Sequence, residues 1–338
     1  MSQPRTPLIE VRDLRVYFPV KKGVLGKTLY VKAVDGVNLA IEEKGIVTLV
    51  GESGCGKTTL GKTIAGLIKP TSGKILFMGR DIHEMSREEY MEYRRSVQMI
   101  HQDPYASLNP TKTILQTLMT PLRRWGIAKT RREAEEKVAE LLETVGLTPP
   151  EDFMRKYPHQ LSGGQRQRVV IARAISVNPR LIVADEPITM IDVSLRLGIL
   201  DLLLDLREKL GTAYLFITHD FGAARYFSAK GGGRIAVMYL GKIVEIGEAE
   251  EVIHNPLHPY TRILLEAVPV PDPEISKKKR MPKLRSLDIP SPLNPPPGCK
   301  FNTRCPEYMP RCSKEEPPLI EAKPGHWVAC WLYAPKKP

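Results

Sequence analysis

Residues Gly51, Glu52, Ser53, Gly54, Cys55, Gly56, Lys57 and Thr58, with Thr59 behind them, fit the pattern G-x-x-x-x-G-K-[ST]. They directly follow the apolar run Ile46 to Val50. Glycines let successive backbone N–H groups turn inward around phosphate oxygens, and a helix starting there presents its positive end to the same anion. Lys57 can reach β- and γ-phosphates, and the Thr58 hydroxyl can ligate Mg2+. A second apolar run, Leu181 to Ala184, ends in Asp185, Glu186 and Pro187. Asp185 at a strand end can hold the water shell of Mg2+, which leaves Glu186 to polarise an attacking water. Phosphoryl transfer needs positioning and charge neutralisation more than covalent chemistry, and these residue types supply both. The chain is therefore expected to bind and hydrolyse a nucleoside triphosphate. Cys55, inside the loop, reads as a small filler.

Those residues need a scaffold that aligns them. Ile46–Val50, Leu181–Ala184 and Tyr214–Thr218 read as buried strands. Thr130 and Glu133 form a capping-box pattern opening a helix whose apolar face is Ala134, Val138, Leu141, Leu142 and Val145, with Gly146 at its C-cap. Buried strands alternating with helices predict an α/β sheet, and residues 103–160 read as a helical insertion within it. Leu161, Ser162, Gly163, Gly164 and Gln165 precede the helical run Arg166–Ile175. A serine N-cap followed by two glycines makes a further anion-facing helix start.

Composition bounds the rest. The chain has 338 residues, 42% apolar, which argues against wholesale disorder. No run of roughly 18 apolar residues is present, so the sequence predicts no membrane span, and its start lacks a signal peptide's apolar core. A cytosolic chain is the expectation. The net charge of +12 suits an acidic ligand, a nucleic acid or an anionic surface without choosing among them. Sixteen of the 30 prolines fall in residues 269–338, where 13 Lys and Arg face 7 Asp and Glu. A boundary is placed near residue 265, giving units 1–265 and 266–338. The run Lys277 to Arg280 reads as solvated linker rather than a lipid or nucleic-acid contact. Four of the five cysteines, Cys299, Cys305, Cys312 and Cys330, lie in the last forty residues.

Taken in order, these motifs resemble the ATP-binding-cassette family over residues 8–268. The phosphate loop is its Walker A, Gln102 stands in a Q-loop, Leu161–Gln165 reads as its LSGGQ signature, and Asp185 closes a Walker B. Asp192 matches a D-loop and His219 a switch histidine. The resemblance implies a P-loop NTPase core (RecA-like) with an inserted helical subdomain and a small irregular cysteine-containing extension. It also implies ATP sandwiched between the Walker loop of one subunit and the signature of another. Lys57, Glu186, Gln102 and His219 would then serve this chain's nucleotide, with Thr58, Asp185 and Gln102 about Mg2+. Ser162, Gly163, Gly164 and Gln165 would serve the partner's. Adenine would stack on Phe18, with Tyr30 the competing aromatic. Two departures stand out: Thr189, Met190 and Ile191 replace the usual Ser-Ala-Leu before Asp192, and Gly231 to Gly233, expected as a flexible turn, precede Arg234–Met238.

Local strings narrow the resemblance to dipeptide and oligopeptide importers. They are Gln102 to Pro110, His258 to Thr261, Pro295 to Phe301 with Arg304 to Pro306, and Pro324 to Trp327. The run Phe18 to Gly23 is similar to the second of the two paralogous ATPases. The implied assembly is a heterodimer of this chain with a paralogous ATPase, two membrane-spanning permease subunits and an extracytoplasmic solute-binding protein. The motor would sit peripherally on the cytoplasmic face, with no nucleic-acid partner. Oligosaccharide or nickel import by the same motor is the alternative, and a non-transport cassette ATPase a remote one. Four soft thiolates can hold a [4Fe–4S] cluster or Zn2+. The tight C-x2–4-C pairs usual for zinc are absent, and some importers of this type carry a cluster on this extension, so iron–sulfur is the expectation.

Overall fold

Short, predominantly apolar runs bury on both faces and so pair inside a parallel sheet. The computed structural model describes residues 6–21, 28–268 and 284–334. The Lys277–Arg280 run, with Lys22 and Gly23 of the amino-terminal string, lies outside them. Antiparallel β1 (Ile9–Lys21) and β2 (Thr28–Ile41) lead into β3 (Ile46–Val50) and α1 (Lys57–Ile64). Then follow β4 (Ser72–Phe77), β5 (Arg80–Asp81), α2 (Arg87–Ser96) and β6 (Val97–Ile100). Four helices fill the insertion: α3 (Pro104–Ser107), α4 (Ile114–Arg124), α5 (Arg131–Thr144) and α6 (Glu151–Met154). The chain returns through α7 (Gly163–Ile175), β7 (Leu181–Asp185), α8 (Val193–Leu210), β8 (Ala213–Thr218), α9 (Phe221–Gly231) and β9 (Arg234–Tyr239). After β10 (Lys242–Glu248), α10 (Ala249–His254) and α11 (Pro259–Ala267), the tail ends in a hairpin of β11 (Ile320–Lys323) and β12 (His326–Val328).

Among the described residues the strands form two sheets. One runs β2-β1-β4-β5; the other runs β11-β12-β10-β9-β3-β8-β7-β6. In the second, β3, β6, β7, β8 and β9 are parallel, and the registers Val50↔Thr218 and Asp185↔Ile217 bring the ends of β3, β8 and β7 level. The expected strands at 46–50, 181–184 and 214–218 are thus the centre of the sheet. The α/β P-loop architecture follows from that arrangement.

The insertion shares its core with the sheet. Leu118, Leu122, Val138 and Leu142 pack in one cluster with Val169 and Ile171 of α7 and with Ile100, Ile182 and Ala184 of the strands. Each such side chain contributes about 1.5–3 kcal/mol on burial, so the insertion is anchored along its length. Thr130 caps α5 by accepting from Glu133 N at 3.1 Å, but the Glu133 carboxylate takes Lys129 N instead of closing the box. The Gly231–Gly233 segment is a correction. Gly231 ends α9 and Gly232 caps it at φ +64°, while a Cβ on Gly231 or Gly233 would fall within 2.2 or 2.7 Å of Ile46. Close packing against β3 explains those glycines, rather than a free turn.

Among the described residues 284–334 the tail is irregular, apart from a 3-10 turn at Pro310–Ser313, until its hairpin joins the main sheet, β12 pairing with β10 at Glu245↔Val328. The joint is electrostatic. Glu245 is fully buried and its carboxylate accepts from Leu257 N at 2.7 Å, His258 N at 2.9 Å and His326 Nε2 at 2.8 Å. Three donors offset the cost of burying that charge. His258 caps α11, its Nδ1 accepting from Tyr260 N at 3.0 Å. Burial pushes the His258 pKa down to about 4. The unfolded chain therefore binds a proton here that the folded one refuses, so stability is full above pH ~6.5 and is lost as pH falls toward 4. His258→Asn retains a capping acceptor without the titration. Denaturant midpoints followed from pH 7 to 4 should fall less steeply for this variant than for the wild type; parallel curves would show that His258 does not drive the loss.

Candidate functional site

The level strand ends open into one cleft of about 730 Å3, lined by the whole loop from Gly51 to Thr59. The loop is shaped by what surrounds it. A Cβ on Gly51 would lie 2.2 Å from the carbonyl oxygen of Met238, and one on Gly56, at φ +109°, would lie 1.9 Å from that of Ala33. No side chain fits at either position. Lys57 begins α1, is buried, and donates from Nζ to the carbonyls of Gly51 at 2.7 Å and Glu52 at 3.0 Å. Cys55 is buried with its thiol pKa raised by desolvation, as a filler should be.

Carboxylates gather at the mouth of that loop. Thr58 Oγ1 donates to Asp185 Oδ1 at 3.1 Å, joining the start of α1 to the end of β7. Burial raises the Asp185 pKa, the Thr58 bond opposing and the neighbouring Glu186 adding to the shift. Glu186 takes the left-handed conformation, φ +47°, with its N–H bonded to Ile217 O at 2.9 Å. Such a backbone costs a non-glycine residue about 1–3 kcal/mol. Three neighbours hold its carboxylate: Gln102 Nε2 at 3.0 Å, Thr189 Oγ1 at 3.1 Å and His219 Nδ1 at 3.1 Å. Strand ends, Q-loop and switch segment thus meet on one carboxylate. Thr58 and Asp185 offer hard oxygen donors of the kind Mg2+ takes, and so fit that ion.

The expected site residues divide in two. Gly51–Thr59, Gln102, Glu186, His219 and Phe18 all line the cleft, while Tyr30 does not, and Asp185 joins it only through its contact with Thr58. Ser162, Gly163, Gly164 and Gln165 are elsewhere on the molecule and none lines the cleft. Ser162 is exposed and caps α7 in a reciprocal box, Oγ accepting from Gln165 N at 3.3 Å and its N–H donating to Gln165 Oε1 at 3.0 Å. Two exposed apolar residues adjoin the glycines that follow it: the Met190 carbonyl lies 3.5 Å from a Cβ built on Gly163, and Leu195 Cδ1 lies 3.2 Å from one on Gly164. The two halves are linked through the insertion, because the Arg166 guanidinium of α7 stacks 4.0 Å from the ring centroid of Tyr105, three residues after Gln102.

Sequence reasoning missed Thr189, whose hydroxyl on Glu186 could have been read from its place one turn beyond the acid. It also missed Leu264 and Pro292, which wall the cleft from α11 and the tail. No local pattern marks those two.

The four tail cysteines converge. Cys305, Cys312 and Cys330 are buried, Cys299 is half-buried, and Cys299 N donates to Cys312 O at 2.8 Å. Desolvation raises the thiol pKa of Cys299 to about 12 and of Cys305 and Cys330 to about 11, with the nearby backbone of Phe301, Glu307 and Leu332 respectively opposing the shift. Among the described residues no three His, Cys, Asp or Glu side chains meet closely enough to hold a single metal ion. The zinc alternative, which needs sulfurs about 3.8 Å apart around Zn–S bonds of about 2.3 Å, does not fit these positions.

Residues 34–189 match the family model described as ABC transporter, and residues 244–312 match the one described as oligopeptide/dipeptide transporter, C-terminal region. The oligopeptide transport ATP-binding protein AppF of Bacillus subtilis is 46% identical over 97% of this chain and 98% of that protein. The oligopeptide transport ATP-binding protein OppF of Salmonella typhimurium is 43% identical over 97% of each. Among solved structures, the dimeric bacterial ABC transporter cassette MJ0796 superposes with a TM-score of 0.62 and 30% identity, over 71% of this chain and 98% of that one. Among the described residues no helix is long and apolar enough to cross a membrane. The chain belongs to the ABC transporter family, in the branch that carries the oligopeptide/dipeptide transporter C-terminal region.

Proposed function

We propose that this chain is the ATP-hydrolysing subunit of an oligopeptide importer, acting in a nucleotide-sandwiched pair with a paralogous ATPase. The observation that carries the reading is the meeting of Gln102, Thr189 and His219 on Glu186, beside the Thr58–Asp185 contact at the mouth of the phosphate loop. In this reading the loop amides and Lys57 grip the β- and γ-phosphates, and Lys57 leaves its carbonyl partners to do so. Glu186 orients and polarises the attacking water, while His219 and Gln102 fix the Glu186 carboxylate and contact the γ-phosphate. Phe18 stacks on the adenine. Thr58, Asp185 and Gln102 hold Mg2+, which when bound neutralises the phosphate charge.

The pairing is supported by what lies outside the cleft. Ser162 to Gln165 offer a capped helix start with no phosphate of their own to meet, bordered by exposed Met190 and Leu195. An apolar rim around an anion-facing helix end suits a second cassette carrying nucleotide. The paralogue as partner, the units 1–265 and 266–338, and attachment to permease subunits at the cytoplasmic face belong to the same proposal. Binding proteins deliver the peptide to those permeases, and this chain never touches it.

The tail cysteines are proposed to hold a [4Fe–4S] cluster. What supports this reading is the chemistry of the donors: four cysteines of one short extension, whose thiols influence one another electrostatically, offer the soft ligands such clusters take. When bound it would supply a structural cross-link for a tail with little core of its own.

Three measurements test these readings. Glu186→Gln should cut ATP turnover about 10²–10⁴-fold yet leave ATP binding, and should trap a closed pair on size-exclusion chromatography; undiminished turnover would remove Glu186 from its role. Ser162→Ala should slow hydrolysis in the assembled pair at least about tenfold, with ATP affinity of the isolated chain unchanged. An equal loss of both would place the signature in this chain's own site. Anaerobically purified protein should be brown and contain about four irons and four sulfides; a colourless, iron-free preparation contradicts the cluster.

A further inference from the structure

Glu52, the second residue of the phosphate loop, carries a carboxylate into a site built for a polyanion. Its backbone is tied on both sides: the carbonyl accepts from Lys57 Nζ at 3.0 Å and Cys55 N at 3.3 Å, and the N–H donates to the Tyr260 hydroxyl at 2.9 Å. Its carboxylate receives both arms of one guanidinium, Arg304 Nη1 at 2.8 Å and Nη2 at 3.0 Å. Arg304 lies in the cysteine-bearing tail, 252 residues away and directly before Cys305. Its side chain is 6% exposed and that of Glu52 22%. It is rigidly set, with Nη1 reaching the Tyr239 hydroxyl at 3.4 Å and its N–H bonded to Phe301 O at 3.0 Å. The Phe301 ring stands 5.3 Å from those of both Tyr239 and Tyr260. Bidentate geometry and partial burial make this pair unlike a screened surface contact.

We propose that Arg304 is a positioning residue for the nucleotide: from the tail it pins Glu52 and cancels its charge, so that the phosphate loop keeps its shape and accepts a polyphosphate. The proposal rests on reading the cleft as the ATP site and goes beyond it by making the tail part of that site. Lys57 now holds the carbonyls of Gly51 and Glu52. When its ammonium turns to a phosphate, those carbonyls lose their donor, and Glu52 stays fixed by Arg304 and Tyr260. Without Arg304 the carboxylate would face the phosphates unpaired, and like charges in a part-buried site repel strongly. Pro292 of the tail lines the same cleft, so the extension borders it at a second point.

Calorimetric titration of the full-length chain with Mg-ATP tests this, using wild type, Arg304→Met, Arg304→Lys and the double variant Arg304→Met/Glu52→Gln. Arg304→Met should weaken ATP binding roughly tenfold or more, as truncating one partner of a part-buried pair does. Arg304→Lys should recover part of the affinity, and removing the carboxylate in the double variant should restore it to within about threefold of wild type. In the assembled transporter the Arg304→Met loss should appear in KM for ATP with kcat little changed. Wild-type affinity in Arg304→Met, or a double variant as weak as the single one, overturns the proposal. A wild-type chain that fails to bind ATP overturns instead the reading on which it rests. Should Arg304→Met fail to fold, Glu52→Gln must bind ATP at least as tightly as wild type and Arg304→Lys less tightly; the opposite order refutes the charge argument.

Discussion

The parallel register of β3, β8 and β7 is the constraint on which everything else depends. Val50 pairs with Thr218 and Asp185 with Ile217, so the three strands stop at one level. Gly51, Glu186 and His219 are each the first residue past a strand end, and they arrive together without a long-range search. Antiparallel pairing would send one of them to the opposite edge. Ligands of open α/β sheets bind at carboxyl ends of strands for this reason. The apolar runs that enforce the register are therefore as much part of the site as the polar residues they deliver.

Charge in the site is arranged in pairs rather than supplied by the net +12. Half of that excess belongs to residues 269–338, many of them outside the cleft. In the proposed ATP site the phosphates would meet one buried ammonium, Lys57, and the backbone N–H groups of the loop. Against these stand Glu52, Asp185 and Glu186, and each has a dedicated partner: Arg304, Thr58, and the set of Gln102, Thr189 and His219. A polyanion enters because the acids are already occupied.

How far the sequence foretold this depends on how local each feature is. The phosphate loop, the strands and the α5 cap are written in consecutive residues, and the structure places them where their patterns indicate. The long β1–β2 pair was not legible, since its strands are half-exposed and interrupted by register shifts that break the two-residue alternation. The Gly231–Gly233 run looked like a loose turn because composition reports conformational freedom, whereas the cause is Ile46 pressing from β3. The β11–β12 hairpin is four and three residues long and gains its place only by adding to β10. Arg304 belongs to a string that marks the resemblance, but nothing local ties it to the site, because its partner Glu52 is 252 residues away.

One asymmetry decides between a self-sufficient enzyme and half of one. Residues 51–59 line the cleft of this chain, whereas residues 162–165 form a helix start outside it with Ser162 exposed. In the proposed pairing, a nucleotide carried by another subunit covers the second segment. Hydrogen–deuterium exchange of this chain in the assembled transporter, with and without a non-hydrolysable ATP analogue and Mg2+, measures both at once. The account predicts protection at residues 51–59 and at 162–165 in the same complex. Protection confined to residues 51–59 would contradict it.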